Sequence, residues 1–192
     1  MLSLQASEEV FAHGAFQGIG TFYGGVLHPW VVPAHLLALI ATGLYVGQRG
    51  WGDVVRTLPI FIAACAVGLG LAHPGVEAIA RIALLTGAAV IGVLVAADLR
   101  VPPGVGILLL TAIGFIVAVD SAPEAQAGAG RFAALAGTCI GVSAVFVWIS
   151  GPVTCLVRPW QRIGVRVAGS WISACALLVL ALAVSGKLPA GA

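Results

Sequence analysis

The sequence predicts an all-α fold, a polytopic membrane helix bundle, on three observations. Of the 192 residues, 60% are hydrophobic and only 8% are charged, against about 25% charged in ordinary globular chains. Apolar runs close to the length that crosses a hydrocarbon core recur between charges and prolines. Glycines repeat at four-residue spacing, at Gly14/Gly18, Gly20/Gly24, Gly43/Gly47 and Gly137/Gly141, which lets helix backbones approach closely in lipid. The chain reads as a single integral membrane domain, residues 1–192, whose first partner is the lipid bilayer.

Residues 14–27 come first. Apolar, rich in glycine and short for a crossing, they predict a helix that enters the membrane partly or wholly: a seventh span, a re-entrant half-helix or an interfacial helix. Six full transmembrane helices follow, at about 31–48, 56–73, 77–97, 104–120, 131–150 and 164–186, each bounded by charge or proline. No sequence period of repeat length is evident. The start, "MLSLQASEEVFAHG", lacks the basic segment and apolar core of a signal peptide, so the expectation is insertion through the chain's own spans.

Connections alternate sides. Arg49, Arg56, Arg100, Arg158, Arg162 and Arg166 then fall on one side and Arg81, Arg131 and Lys187 on the other, which puts the first side in the cytoplasm. Glu77, Asp120, Glu124 and His28 gather at the outer face. Arginine makes up eight of the nine basic residues, and Ala, Gly and Val are abundant, as in proteins of high-GC bacteria. The expected location is the bacterial cytoplasmic (inner) membrane, multi-pass. Basic residues are scattered singly, without the clustered stripe of a nucleic-acid binder. Cys65, Cys139, Cys155 and Cys175 lack the spacing of a zinc site or a disulfide frame and read as small buried thiols.

The stretch "GGVLHPWVVPAHLLALIATGLYVGQ" carries the chemistry. Pro29 can open a helix, but Pro33, one turn on, lacks the N–H that the carbonyl near residue 29 needs, so the backbone there is expected to be irregular. In a membrane such backbone survives only against protein or a wet cavity. His28 and His35 are therefore expected to border a polar pocket. Seven residues make two helical turns, which puts both rings on one face if the helix holds, and His13 joins them if residues 14–27 fold back. The functional reading is ligation of a divalent transition metal by neutral imidazoles, with carboxylates completing the site. The plainer reading is that each ring satisfies a backbone carbonyl or sits at headgroup level.

The same stretch resembles the signature of the HupE/UreJ family of small bacterial membrane proteins, G-F-x-H-P-x-x-G-x-D-H-L-L-A-M-x-x-V-G-L. His28, Pro29, His35, Leu36, Leu37, Ala38, Gly43 and Leu44 match in register, and the number of spans and chain length agree. The resemblance implies a secondary transporter, a permease for nickel or a related divalent metal such as cobalt or iron. The metal is then a transported substrate, and no cofactor is implied. Two departures stand out. The motif's Gly is Val32 and its Asp is Ala34, and a second, His-rich motif near the end of the fourth span, H-G-H-A-H-G-x-E, reads "VDSAPEA" here. Asp120 and Glu124 remain in that place. The candidate metal ligands are accordingly His28, His35, Asp120, Glu124 and His13. One reading is altered ligation by fewer imidazoles, shifted toward harder ions. The alternative is a non-transporting structural or assembly subunit of a larger membrane complex, with partner subunits.

Other features have simpler explanations. His73 in "LAHPGVEAIAR" and the Asp98–Arg100 stretch before Pro102 read as helix-connecting turns. "RPWQRIGVR" places Arg158, Arg162 and Arg166 four apart beside Trp160, which suits positive-inside anchoring, a cytoplasmic partner or anionic lipid headgroups. Haem would need paired histidines at matching depth on facing helices. Copper(I) transport leans on Met and Cys, and Met1 is the sole methionine. Ser143 and Ser150 have no histidine base at similar depth, so the chain is expected not to be an enzyme. No nucleotide-binding G-x-x-x-x-G-K-[ST] loop occurs.

Overall fold

A computed structural model of the chain describes residues 20–71, 76–121 and 129–185. These form seven helices and, among the described residues, no strand: α1 Gly20–Val31, α2 Pro33–Gly47, α3 Trp51–Leu71, α4 Glu77–Ala97, α5 Pro103–Asp120, α6 Ala129–Thr154 and α7 Pro159–Val184. The protein is an all-α polytopic helix bundle.

Helix boundaries follow the backbone chemistry more than the charges. α3 begins at Trp51 and carries Arg56 and Pro59 inside it, so its start lies before the expected residue 56. An arginine ends an apolar run but is a good helix former, and its long stem reaches from the helix to water. α6 likewise continues through Pro152 to Thr154. α5 and α7 open on Pro103 and Pro159, where a missing N–H falls among the first-turn groups that lack a partner anyway.

At the first span, the helix expected over 31–48 is α2 and the short helix expected before it is α1, and the two meet at a bend of 73°. Val32 between them is extended, φ −86° and ψ 111°, the conformation that a following proline imposes on its neighbour. At 1.5 Å per residue, α1 is about 18 Å long and α2 about 22 Å, each short of a hydrocarbon core about 30 Å thick. α1 runs alongside α6: a Cβ on Gly137 would strike the Phe22 carbonyl, one on Gly141 the Val26 carbonyl, and one on Gly25 the Ala134 carbonyl. The helical part of the 14–27 stretch is therefore the first half of a broken element; residues 14–19 lie outside the described residues.

α2 is the centre of the bundle. It touches α4 and α6 most extensively, and Ala38, Leu39, Ala41, Thr42, Tyr45 and Val46 are all essentially buried. A helix apolar on every side belongs in such a position. Gly43 and Gly47 permit it: a Cβ at Gly43 would lie 2.8 Å from Ile149 Cβ, and one at Gly47 2.6 Å from Val153 Cβ. Gly20 does not serve this purpose, having nothing near it. α3 pairs with α5, and α4 with α7. Phe61 of α3 stacks on Phe146 of α6 at 4.9 Å between centroids.

The outer helices turn large apolar side chains outward, among them Ile79, Leu108, Trp148 and Leu178, each more than 60% exposed. Water would not tolerate so continuous an apolar coat, and five helices are each long and apolar enough to cross a membrane, six crossings if the bent pair counts as one. The protein is an integral membrane protein. Of its four thiols only Cys65 is buried; Cys139 is half-buried, and Cys155 and Cys175 are exposed, so the expectation of uniformly buried thiols fails for the last two.

Helix order places Arg49, Arg100, Arg158, Arg162 and Arg166 at one end of the bundle, with Arg56 in the first turns of α3. Arg81 and Arg131 lie in the first turns of α4 and α6 at the other end. His28, His35 and Asp120 lie toward that second end.

Candidate metal-binding site

Two elements far apart in sequence build the site. α2 presents His35 from its first turn, and α5 presents Asp120 as its last residue. The His35 Nε2–H donates to Asp120 Oδ2 at 2.7 Å, with the His35 side chain 1% exposed and that of Asp120 8%. This is the short, charge-assisted range. On the other side of the ring, Ser121 Oγ lies 3.5 Å from His35 Nδ1 and also donates to the Val117 carbonyl at 2.6 Å. Both ring nitrogens therefore face polar atoms inside an apolar bundle.

His28 completes the cluster through the bend. In an unbroken helix, residues seven apart are displaced by about 10.5 Å along the axis. Here the His28 and His35 ring centroids are 5.2 Å apart, tilted by 60°. The irregular backbone expected between Pro29 and Pro33 is present, and the break at Val32, where an unbroken helix would have aligned the rings on one face, folds one ring over the other. Trp30, packed edge-on to Trp148 of α6 with centroids 5.8 Å apart, and the buried Pro29 fix the turn that carries His28.

Of the five candidate ligands, His35 and Asp120 are in contact, and the His28 ring lies beside that of His35. Glu124 and His13 lie outside the described residues, as does His73. Ser121 was not anticipated, although its place directly after Asp120 in "VDSAPEA" was a usable signal, because a hydroxyl one residue beyond a helix-ending carboxylate shares its surroundings. Among the described residues no group of three or more His, Cys, Asp or Glu side chains has the arrangement that would hold a metal ion. The closest pair, His35 and Asp120, is spaced for a hydrogen bond. Bonds of roughly 2.1 Å from one ion to an imidazole nitrogen and a carboxylate oxygen put those atoms about 3.0 Å apart at a right angle and about 3.4 Å apart at a tetrahedral one. At 2.7 Å, His35 and Asp120 are instead joined by a proton. A cation would have to replace that proton and part the two side chains by a few tenths of an ångström.

No match was found among curated proteins or among solved structures. The sequence model of the HupE / UreJ protein family matches residues 1–179, which includes the His-Pro stretch, the bend and the α5 carboxylate. With nearly the whole chain matched, and the bundle and the paired His28 and His35 in place, the protein belongs to the HupE/UreJ family.

Proposed function

We propose that the protein is a secondary permease for a divalent transition metal such as nickel, cobalt or iron, working in the bacterial cytoplasmic membrane without enzymatic chemistry of its own. The family is associated with nickel and cobalt transport and with urease and hydrogenase maturation. The observation that carries the reading is the buried His35–Asp120 pair, 2.7 Å apart, with the His28 ring against it. Ionisable groups are expensive within a membrane bundle and are retained there chiefly for function.

In this mechanism the metal is captured at the end of the bundle that holds the His35–Asp120 pair and the His28 ring beside it. Nε2 of His35 binds a cation only through its lone pair, so the proton it shares with Asp120 must move first, to Nδ1 facing Ser121 Oγ or, from a doubly protonated ring, to water. No nucleotide is needed. The bent α1–α2 element supplies the moving part: half-helices around a central site are the usual gate in secondary transporters.

A second reading, a structural or assembly subunit without transport, is favoured by Val32 and Ala34 where the family motif has Gly and Asp. One experiment separates the two. Purified protein is reconstituted into liposomes and saturable nickel, cobalt and iron uptake is measured for wild type, H35A and D120N. Loss of at least tenfold in both variants supports the permease. Absence of flux in the wild type, together with co-purification in a fixed ratio with other membrane subunits, establishes the scaffold.

A further inference from the structure

The end of the bundle away from the histidines holds a second polar site. Three connections meet there around a recess of about 160 Å³ into which Arg49, Arg100, Arg162 and Arg166 face, with Asp98 as the carboxylate. Four guanidinium groups less one carboxylate leave a charge of +3. The ends of α2, α4 and α6 also border it, and helix C-termini carry roughly half a negative charge each. Those three offset about half of the excess and leave the recess positive.

Two of the arginines are held in place by backbone carbonyls. Arg166 Nε donates to the Ala96 carbonyl at 2.8 Å, and Arg49 donates to the Tyr45 hydroxyl and, at 3.4 Å, to the Val101 carbonyl. Gln48 Nε2 takes the Val95 carbonyl at 3.2 Å. The Val95 and Ala96 carbonyls near the end of α4 are thus already satisfied without Arg100 and Arg162, whose side chains make no hydrogen bond or ion pair to the described residues. Positive-inside anchoring explains arginines spread around a bundle end. It does not explain why residues from three separate connections converge on one recess.

Beside the recess lies a shallow, open groove between the end of α4 and α7, bordered by Ala96, Ile163, Val167 and Ser170, and Arg166 borders both. Trp160 lies exposed one turn away on α7, the usual residue of the membrane interface. A positive pocket joined by a shared arginine to an apolar groove matches a molecule with an anionic head and a hydrocarbon tail. We propose that this is a site for an anionic phospholipid, its phosphate held by the four arginines and one acyl chain lying against Ile163 and Val167. Guanidinium groups suit the phosphate because they donate in pairs to its oxygens.

The test uses the full chain in mild detergent, with phosphatidylglycerol, phosphatidylcholine and inorganic phosphate as probes, and native mass spectrometry to read bound lipid. R100Q/R162Q is compared with R56Q, whose arginine lies outside the recess. The expected result is retention of phosphatidylglycerol over phosphatidylcholine by wild type and R56Q, and an affinity loss of about 30-fold in R100Q/R162Q, roughly fivefold per guanidinium. Equal retention of the two lipids by wild type, or undiminished phosphatidylglycerol binding by R100Q/R162Q, overturns the proposal. Inorganic phosphate displacing the lipid at millimolar concentration also overturns it, in favour of a soluble phosphate ligand. Should R100Q/R162Q fail to fold, the wild type decides: a thermal midpoint that rises with phosphatidylglycerol and not with phosphatidylcholine supports the site, and no rise refutes it.

Discussion

Replacing His35 and Asp120 by leucine, singly and together, measures how tightly the two helices that carry them are coupled. The 2.7 Å contact joins side chains that are 1% and 8% exposed, so each single variant strands a polar partner in an apolar interior. A hydrogen bond to a charged group contributes about 1.5–3 kcal/mol, and an abandoned buried partner adds a desolvation penalty of similar size. H35L and D120L are each expected to destabilise the fold by about 3 kcal/mol. In the double variant neither polar group remains, and its destabilisation should fall short of the sum of the singles by at least 1.5 kcal/mol. The assay is thermal loss of helical circular dichroism in one detergent at fixed protein concentration. For a chain this long about 3 kcal/mol corresponds to a lowering of Tm by roughly 6–12 °C. Singles that add to within about 0.5 kcal/mol, the tolerance of independent sites, would refute the direct coupling of α2 to α5 through this pair.

Other expectations rest on different parts of the molecule. Gly43→Leu would drive a side chain into Ile149, whose Cβ is 2.8 Å from where the first added atom would sit, and should destabilise the bundle by about 1–3 kcal/mol or more. Gly164→Ala on α7, with nothing within 4 Å, should be neutral or stabilising by up to about 1 kcal/mol, and both are read by the same thermal assay. A membrane-impermeant maleimide should modify the exposed Cys155 in inverted vesicles and not in intact cells, since that thiol lies at the arginine-rich end; labelling only from outside reverses the orientation.

The amino-acid pattern by itself determined the fold class and the membrane environment, since the low charge fraction and the long apolar runs are properties of composition and spacing. It also located the break: Pro33 forces Val32 into an extended conformation wherever the chain goes next, a local steric effect. The pairing of Gly43 and Gly47 against a neighbouring helix was legible for the same reason, although the neighbour was not. Arg56 and Pro152 misled as boundaries, because charge and proline interrupt hydropathy without ending a helix.

Tertiary structure decided which of the flagged groups meet. Residues 35 and 120 are 85 positions apart, and nothing local in either segment specifies that the first turn of α2 docks against the last residue of α5. Nor does a two-turn spacing announce that a 73° bend will bring His28 onto His35, because the angle is set by the packing of α1 along α6. The four arginines followed the same rule. Their side of the membrane could be counted from the chain, whereas their convergence on one recess depends on how three helix pairs cross, which is fixed by contacts between residues remote in sequence.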